Sequence, residues 1–302
     1  MRRAAFTLLE LIFVIVIMGI LAKFGVELLS QAYQNFIFSS VNNRLQSQST
    51  SAAETIAARL QYRIKDSVIA RQTDGNFQAL ASNTDLTAPI LEWVGTDIDG
   101  FRGNSAVLPH WSGIIDLDLS TSTTLVSPGT DTVALNTLIG VLSNGGSDIN
   151  NTAIYFVGSD SDIRTGYGWD TAIGAITTQN EAMHPIRSNG VANQFIPTNG
   201  ATGADNNFTG VDVYEYYQLA WTAYAVGITN YDAGTNTGTL TLWYDYQPWE
   251  GESYAADGTA VTLMEDVSTF QFRAVGSIIK LQVCVKSDLV EEYSLCKEKT
   301  VF

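Results

Sequence analysis

Residues 6–22, FTLLELIFVIVIMGILA, decide how the rest of the chain can be arranged. The run is almost wholly apolar, carries a single carboxylate at Glu10, and follows the short basic leader MRRAA. A bilayer's hydrocarbon core of about 30 Å takes about 20 helical residues, so residues 6–26 are expected to cross one. A carboxylate at mid-membrane depth costs roughly 2.5–3.5 kcal/mol on insertion scales. Glu10 therefore has to stay wet near the interface or be neutralised, and in the first helical turn the helix dipole favours its charge. A cleavable secretory signal also joins a basic start to an apolar core of about 7–15 residues. Against that reading, Ile20-Leu21-Ala22 is a poor small-x-small site and Glu10 is misplaced for such a core. A plain signal anchor leaves Glu10 without a purpose.

Composition narrows the remainder. Of the 302 residues 45% are apolar, enough for one large domain or two modest ones after the anchor. Acidic side chains outnumber basic ones 31 to 16, for a net charge of −15. Such a surface argues against nucleic acid or anionic lipid as a partner. It favours solubility outside the cytoplasm and cationic partners. Arg2 and Arg3 ahead of the span fit retention of the N-terminus in the cytoplasm, which places the bulk of the chain on the far side. In an exported chain, Cys284 and Cys296 read as one disulfide closing a short loop, worth about 2–3 kcal/mol in the chain-entropy picture. Two free thiols are the alternative; neither His110 nor His184 is near them in sequence to suggest a metal site.

The run Phe6-Thr7-Leu8-Leu9-Glu10 resembles the N-terminal signature of type IV pilins and of the pseudopilins of type II secretion. The resemblance covers about 20 of 302 residues and is specific within them. It implies cleavage by a prepilin peptidase between Ala5 and Phe6, methylation of the new Phe6 amino terminus, and residence in the inner membrane as a single-pass protein with a periplasmic head. Assembly into a pilus or pseudopilus would follow, through the N-terminal helix, with other pilins or pseudopilins and an inner-membrane assembly platform as partners. Two departures stand out. Alanine replaces the usual glycine before the cut, and the helix lacks the family's proline, since none precedes Pro89. Glu10 is the expected assembly residue, pairing with the Phe6 ammonium of a neighbour. A pair of that kind adds little net stability, but leaving one member unpaired costs several kcal/mol, which suits a register device.

The fold class is expected to be α+β: a long N-terminal helix packed on an antiparallel β-sheet head. The divisions are a leader at 1–5, a span at 6–26, an amphipathic helix at 27–71, a Gly/Asn/Thr-rich β insertion at 72–210 and a C-terminal meander at 211–302. Ile56, Leu60, Ile64 and Val68 at strict i, i+4 spacing support helix to about residue 70. Within 72–210, strands are expected at 90–94, 113–119, 132–135 and 153–157, with long loops at 142–151 and 188–207. Alternation then predicts strands at 213–226, 239–246, 267–274 and 278–286, with turns at 229–238 and at Gly276-Ser277. By parity Cys284 points away from the core and ties the tail across the sheet's outer face or edge. The tyrosine-rich strand at Glu215-Tyr216-Tyr217, the strand ending in an aromatic turn at Trp243–Trp249, and Leu263-Met264-Glu265-Asp266-Val267 leading into Phe270-Gln271-Phe272 are together similar to the larger minor pilins and pseudopilins of the J or W type, which implies a tip or initiating subunit.

No catalytic constellation is visible: the two histidines lie in unrelated contexts, with no nucleophile elbow, phosphate loop or CxxC. No cofactor is implied. Asp97 with Asp99, and Asp160 with Asp162, are candidate ligands for a hard cation such as Ca2+, being paired carboxylates beside turns. Neither continues into an EF-hand spacing. Trp243, Trp249 and Tyr254 are either an interface patch for neighbouring subunits, an adhesive surface, or core at a sheet end. The alternative function is a pilus-tip adhesin that binds a surface ligand through its head.

Overall fold

A computed structural model describes residues 7–83, 87–103, 107–159, 162–287 and 293–302. The chain opens with α1 (Leu8–Leu60), followed by β1 (Ile69–Arg71), β2 (Phe77–Ala79), β3 (Ile90–Gly95) and the short α2 (Ile98–Phe101). Then come β4 (Asp116–Thr121), β5 (Thr124–Val126), α3 (Thr132–Leu142), β6 (Ala153–Phe156), β7 (Met183–Ser188) and β8 (Gln194–Pro197). The last third contains β9 (Tyr217–Ala220), β10 (Thr222–Asp232), β11 (Thr237–Tyr244), β12 (Thr259–Val275), β13 (Ile278–Lys286) and β14 (Ser294–Val301). The class is α+β, with one long apolar N-terminal helix and two antiparallel sheets. One sheet runs β14-β13-β12-β11-β10-β3-β1-β2 and the other β4-β5-β8-β7-β6-β9.

Helix α1 is 53 residues long, about 80 Å at 1.5 Å per residue. Only its C-terminal part is covered. Val41, Leu45, Ala52, Ile56 and Leu60 form a buried stripe on the face of the eight-stranded sheet made by Leu91, Trp93, Leu240, Met264, Phe270, Leu281 and Val283. At its edge, β14 clasps the helix. The Tyr293 hydroxyl donates to Asn42 at 2.7 Å, the Tyr293 ring lies 4.9 Å from that of Phe38, and Lys299 pairs with Glu54 at 2.6 Å.

The helix stops at Leu60, not near residue 71. The next backbone groups turn to β3: Ile64 N–H donates to Val94 at 2.9 Å and Thr96 N–H to Tyr62 at 2.8 Å. Ile64 and Val68 keep the helical spacing yet lie in different cores, Ile64 behind the sheet and Val68 under the helix. Strand hydrogen bonds decided the matter against periodicity.

The region expected to be a single insertion at 72–210 divides. Strands β2 and β3 join the sheet of the C-terminal meander, β3 in its interior beside β10. The remainder builds the six-stranded sheet. The strand expected at 132–135 is instead the start of α3. Asp131 caps it, its carboxylate accepting from the N–H groups of Val133 and Ala134 at 3.0 Å each, and Leu135 and Ile139 are buried one turn apart. The loop expected at 188–207 contains β8, and the strand expected at 213–226 breaks at Trp221 into β9 of one sheet and β10 of the other. The turn expected at 229–238 shrinks to the residues between Asp232 and Thr237.

Both faces of the sheet are covered around β1, β3 and β10, which is why β3 is buried from end to end. Behind it, Ile69, Val94, Ala223, Ala225 and Trp243 pack on Tyr155, Tyr167, Trp169, Met183 and Trp249. Glu92 is stranded in this second core at 1% exposure. Arg71 resolves the problem: its Nε lies 2.5 Å from Glu92 Oε2, while a second guanidinium nitrogen donates to the Trp169 carbonyl at 3.1 Å. The Tyr246 hydroxyl donates to the other carboxylate oxygen at 3.3 Å. Burial pushes the Glu92 carboxyl up and the guanidinium opposes that shift.

Removing one member of such a pair leaves a buried charge uncompensated, at about 3–5 kcal/mol, whereas replacing both with apolar residues costs less. Arg71→Met is therefore expected to lower unfolding free energy by about 3–5 kcal/mol, and Arg71→Met with Glu92→Leu by clearly less. Urea titration of both variants measures this, and equal losses would contradict it.

Candidate functional site

Two features of the chain are placed for function: the uncovered arm of α1 and the acid-bearing loops at the end of the head away from that arm. The arm begins with a capping box. Thr7 N–H donates to Glu10 Oε2 at 3.0 Å, the Thr7 hydroxyl donates to the same oxygen at 3.0 Å, and Glu10 N–H donates to the Thr7 hydroxyl at 3.4 Å. The T-x-x-E spacing that produces this arrangement satisfies donors otherwise orphaned at a helix start. Glu10 thus has partners within its own chain. Ala5 and Phe6, the expected cleavage pair, lie outside the described residues.

From Leu8 through Phe36 every side chain is exposed. An 18-residue window of the helix has a mean hydropathy of 2.4 and none of it is buried, so this helix is a candidate membrane span. At 3.6 residues per turn, Leu29, Tyr33 and Phe36 point nearly opposite to the stripe Val41, Leu45, Ala52 and Ile56 that docks the head.

The candidate cation ligands differ in their surroundings. Asp97 caps α2, one oxygen accepting from Gly100 N–H at 3.1 Å and the other from the Trp111 indole N–H at 3.1 Å. Asp99 is exposed. Asp162 accepts from Arg164 N–H at 2.8 Å, and Asp160 lies outside the described residues. Among the described residues no three of His, Cys, Asp and Glu come together as a metal-holding group. Asp97 also borders a cleft of about 330 Å³ beside the last turns of α1. Across it, the Arg59 guanidinium stands 5.3 Å over the Tyr224 ring.

The cysteines do form a disulfide, at directly opposed positions of β13 and β14. Val283 and Val285 face the helix core, so the bridge lies on the sheet's other face. The aromatic cluster is core: Trp249 is fully buried, Trp243 nearly so, and Tyr254 packs edge-on against Trp243 at 5.1 Å. Those rings hold the 245–258 loop against the second layer and do not form a docking patch. His184 is buried against Phe156 and Phe208, with Nδ1 3.1 Å from the Gln179 amide oxygen, and burial drops its pKa to about 3.

A group invisible in the sequence is the carboxyl of Glu250. Burial, with Glu252 and Asp148 nearby, pushes it up to about 7 although Asn151 donates to it at 3.1 Å. Asp97 is pushed up to about 6, chiefly by burial. Neither shift had a signal in the residue pattern, because each depends on how loops close over the side chain.

No family model, curated protein or solved structure matches this chain.

Both raised carboxyls bind their protons more tightly folded than unfolded, so their contribution is present at low pH and is lost as pH rises through about 6 and about 7. The urea midpoint is expected to be higher near pH 5 than near pH 8. Glu250→Gln should remove the upper part of that slope, and an unchanged profile in this variant would show that Glu250 does not titrate there.

Proposed function

We propose that the chain is a subunit of a filament assembled at a membrane, of the pilin or pseudopilin kind. In this reading it is cut between Ala5 and Phe6, held in the inner membrane by its first turns with the head in the periplasm, and inserted as a minor subunit at the tip or initiating end of a type IV pilus or secretion pseudopilus. One observation carries the reading: the bare apolar helix is longer than a bilayer requires. About 20 residues from Leu8 cross the hydrocarbon. Beyond them Leu28, Leu29, Tyr33 and Phe36 remain 65–72% exposed. The chain's own head cannot cover the face that points away from it. An unpaired apolar stripe in water marks an interaction surface, and the helices of neighbouring subunits, parallel and equally long, fit it. A disulfide on the head accords with an oxidising compartment.

A second reading, a tip adhesin, is favoured by the position of the six-stranded sheet. It lies behind the central sheet, opposite the face on which α1 docks, where its loops are free to vary without disturbing the helix. Surface binding by intact filaments would favour that role; a secretion defect with a periplasmic protein would favour the pseudopilus.

Glu10 can act as a helix cap or as a charge partner, and two substitutions separate these. Glu10→Gln keeps the capping box and removes the charge; Glu10→Ala removes both. If Glu10 pairs with a neighbour's Phe6 ammonium, both variants should reach the membrane at normal levels. Both should then enter filaments roughly tenfold or more less well, since an unpaired buried ammonium costs several kcal/mol. Glu10→Gln assembling normally would reduce Glu10 to a cap. Sequencing of the mature N-terminus should begin at Phe6; any other start sinks the filament reading.

A further inference from the structure

The charge of this chain is unevenly spread. Residues 72–258 carry 21 acidic and three basic side chains, while residues 259–302 carry six acidic and five basic ones. In space these groups sit at opposite lateral ends of one sheet. The strand order puts β14, β13 and β12 at one end and β10, β3, β1 and β2 at the other. The acidic six-stranded layer packs behind the latter end, on Ile69, Val94, Ala223 and Ala225. Two of its three basic residues already face local carboxylates, Arg164 with Asp170 at 2.8 Å and Arg187 with Asp205 at 2.5 Å. The acidic surface is therefore largely uncompensated from within.

The opposite end has the complementary problem. On β13, Ile279, Leu281 and Val283 turn toward the helix core, which leaves Lys280 on the back face. The register sets Arg273 of β12 directly across from Lys280, and both are exposed. Directly opposed like charges destabilise a sheet. Among the described residues no carboxylate forms an ion pair with either. Glu298 on the adjacent strand stands across from Gln282 and accepts that amide's N–H at 3.3 Å. A shallow depression of about 170 Å³ lies over these side chains and Gln271.

We propose that this back face of β12–β14, centred on Arg273 and Lys280, docks the acidic layer of a second copy of the chain. The inference rests on the filament reading, which anchors copies side by side by parallel helices. Parallel copies present opposite lateral ends to each other, so the cationic strip of one meets the acidic layer of the next. Uniformly acidic heads would repel; this contact offsets that repulsion. The two surfaces differ, so the contact is heterologous and can repeat without closing. An initiating complex built this way holds at least two copies. The contact is electrostatic and exposed, hence screened by salt, with a Debye length near 10 Å at 0.1 M.

The test uses the full-length chain in lipid vesicles as an equal mixture of isotopically light and heavy copies. After zero-length carbodiimide coupling at about 50 mM salt, mass spectrometry should find light–heavy links between Lys280 and carboxylates of residues 72–258, falling at least roughly fivefold at about 500 mM salt. The dimer fraction, counted by single-molecule photobleaching, should fall by a similar factor in R273Q/K280Q. That variant's melting temperature should not drop, because a like-charge pair has been removed. Lys280 coupled only to its own copy, an unchanged dimer fraction in R273Q/K280Q, or association that requires an added acidic protein or nucleic acid would each overturn the proposal. A mature N-terminus other than Phe6 would sink the filament reading without altering these links, and absent links would leave N-terminal processing untouched.

Discussion

The docking of Val41, Leu45, Ala52, Ile56 and Leu60 onto the eight-stranded sheet is the contact on which the rest of the molecule depends. Each fully buried Leu or Ile on this stripe is worth about 1.5–3 kcal/mol, and together they hold one end of an 80 Å-scale helix rigidly to the head. The other end, from Leu8 to Phe36, is left without any cover. The two halves are apolar for different solvents. The docked half is amphipathic, with Glu54 and Arg59 outward and Val41, Leu45, Ala52, Ile56 and Leu60 inward. The arm is apolar on more than one side, as a helix must be when lipid or several neighbouring helices surround it.

The sheet under the helix has to be covered behind as well, because its central strand offers apolar side chains to both faces. The six-stranded layer does this, at the cost of enclosing polar groups. Glu92, Arg71 and Tyr246 meet in that second core, where the guanidinium and the hydroxyl oppose the upward push of burial on the carboxyl. At the loop end burial likewise raises Glu250 and Asp97, to about 7 and about 6. The layer therefore carries both the acidity of the chain and the groups through which pH acts on it.

The N-terminal segment was the most legible part. Its length and its apolar composition are local, and a long helix that is a candidate span is a local consequence. The C-terminal hairpin was nearly as clear, since alternation in 267–286 around Gly276-Ser277 needs only strand period and turn chemistry. Residues 61–71 misled because Ile64 and Val68 satisfy helical spacing while being buried in two different cores. Residues 132–135 misled because the short apolar run opens a helix, started where the Asp131 carboxylate accepts from the N–H groups of Val133 and Ala134. For the aromatic cluster around Trp249 the sequence left core and surface patch open, and burial decided for core, because exposure is not a property of a residue type.

From the sequence alone came a helix that must leave water at its start, an antiparallel meander at its end, a disulfide between Cys284 and Cys296, and a charge bias concentrated in 72–258. All of these follow from periodicity, from single residues or from counting, none of which needs to know what lies across the fold. Only the tertiary structure decided where α1 ends, that β3 enters the sheet beside β10, that Arg71 finds Glu92, and that Arg273 and Lys280 stand directly opposed. Those outcomes rest on pairings between residues tens to hundreds of positions apart, where strand hydrogen bonds and burial from both sides outweigh the local preferences of the chain.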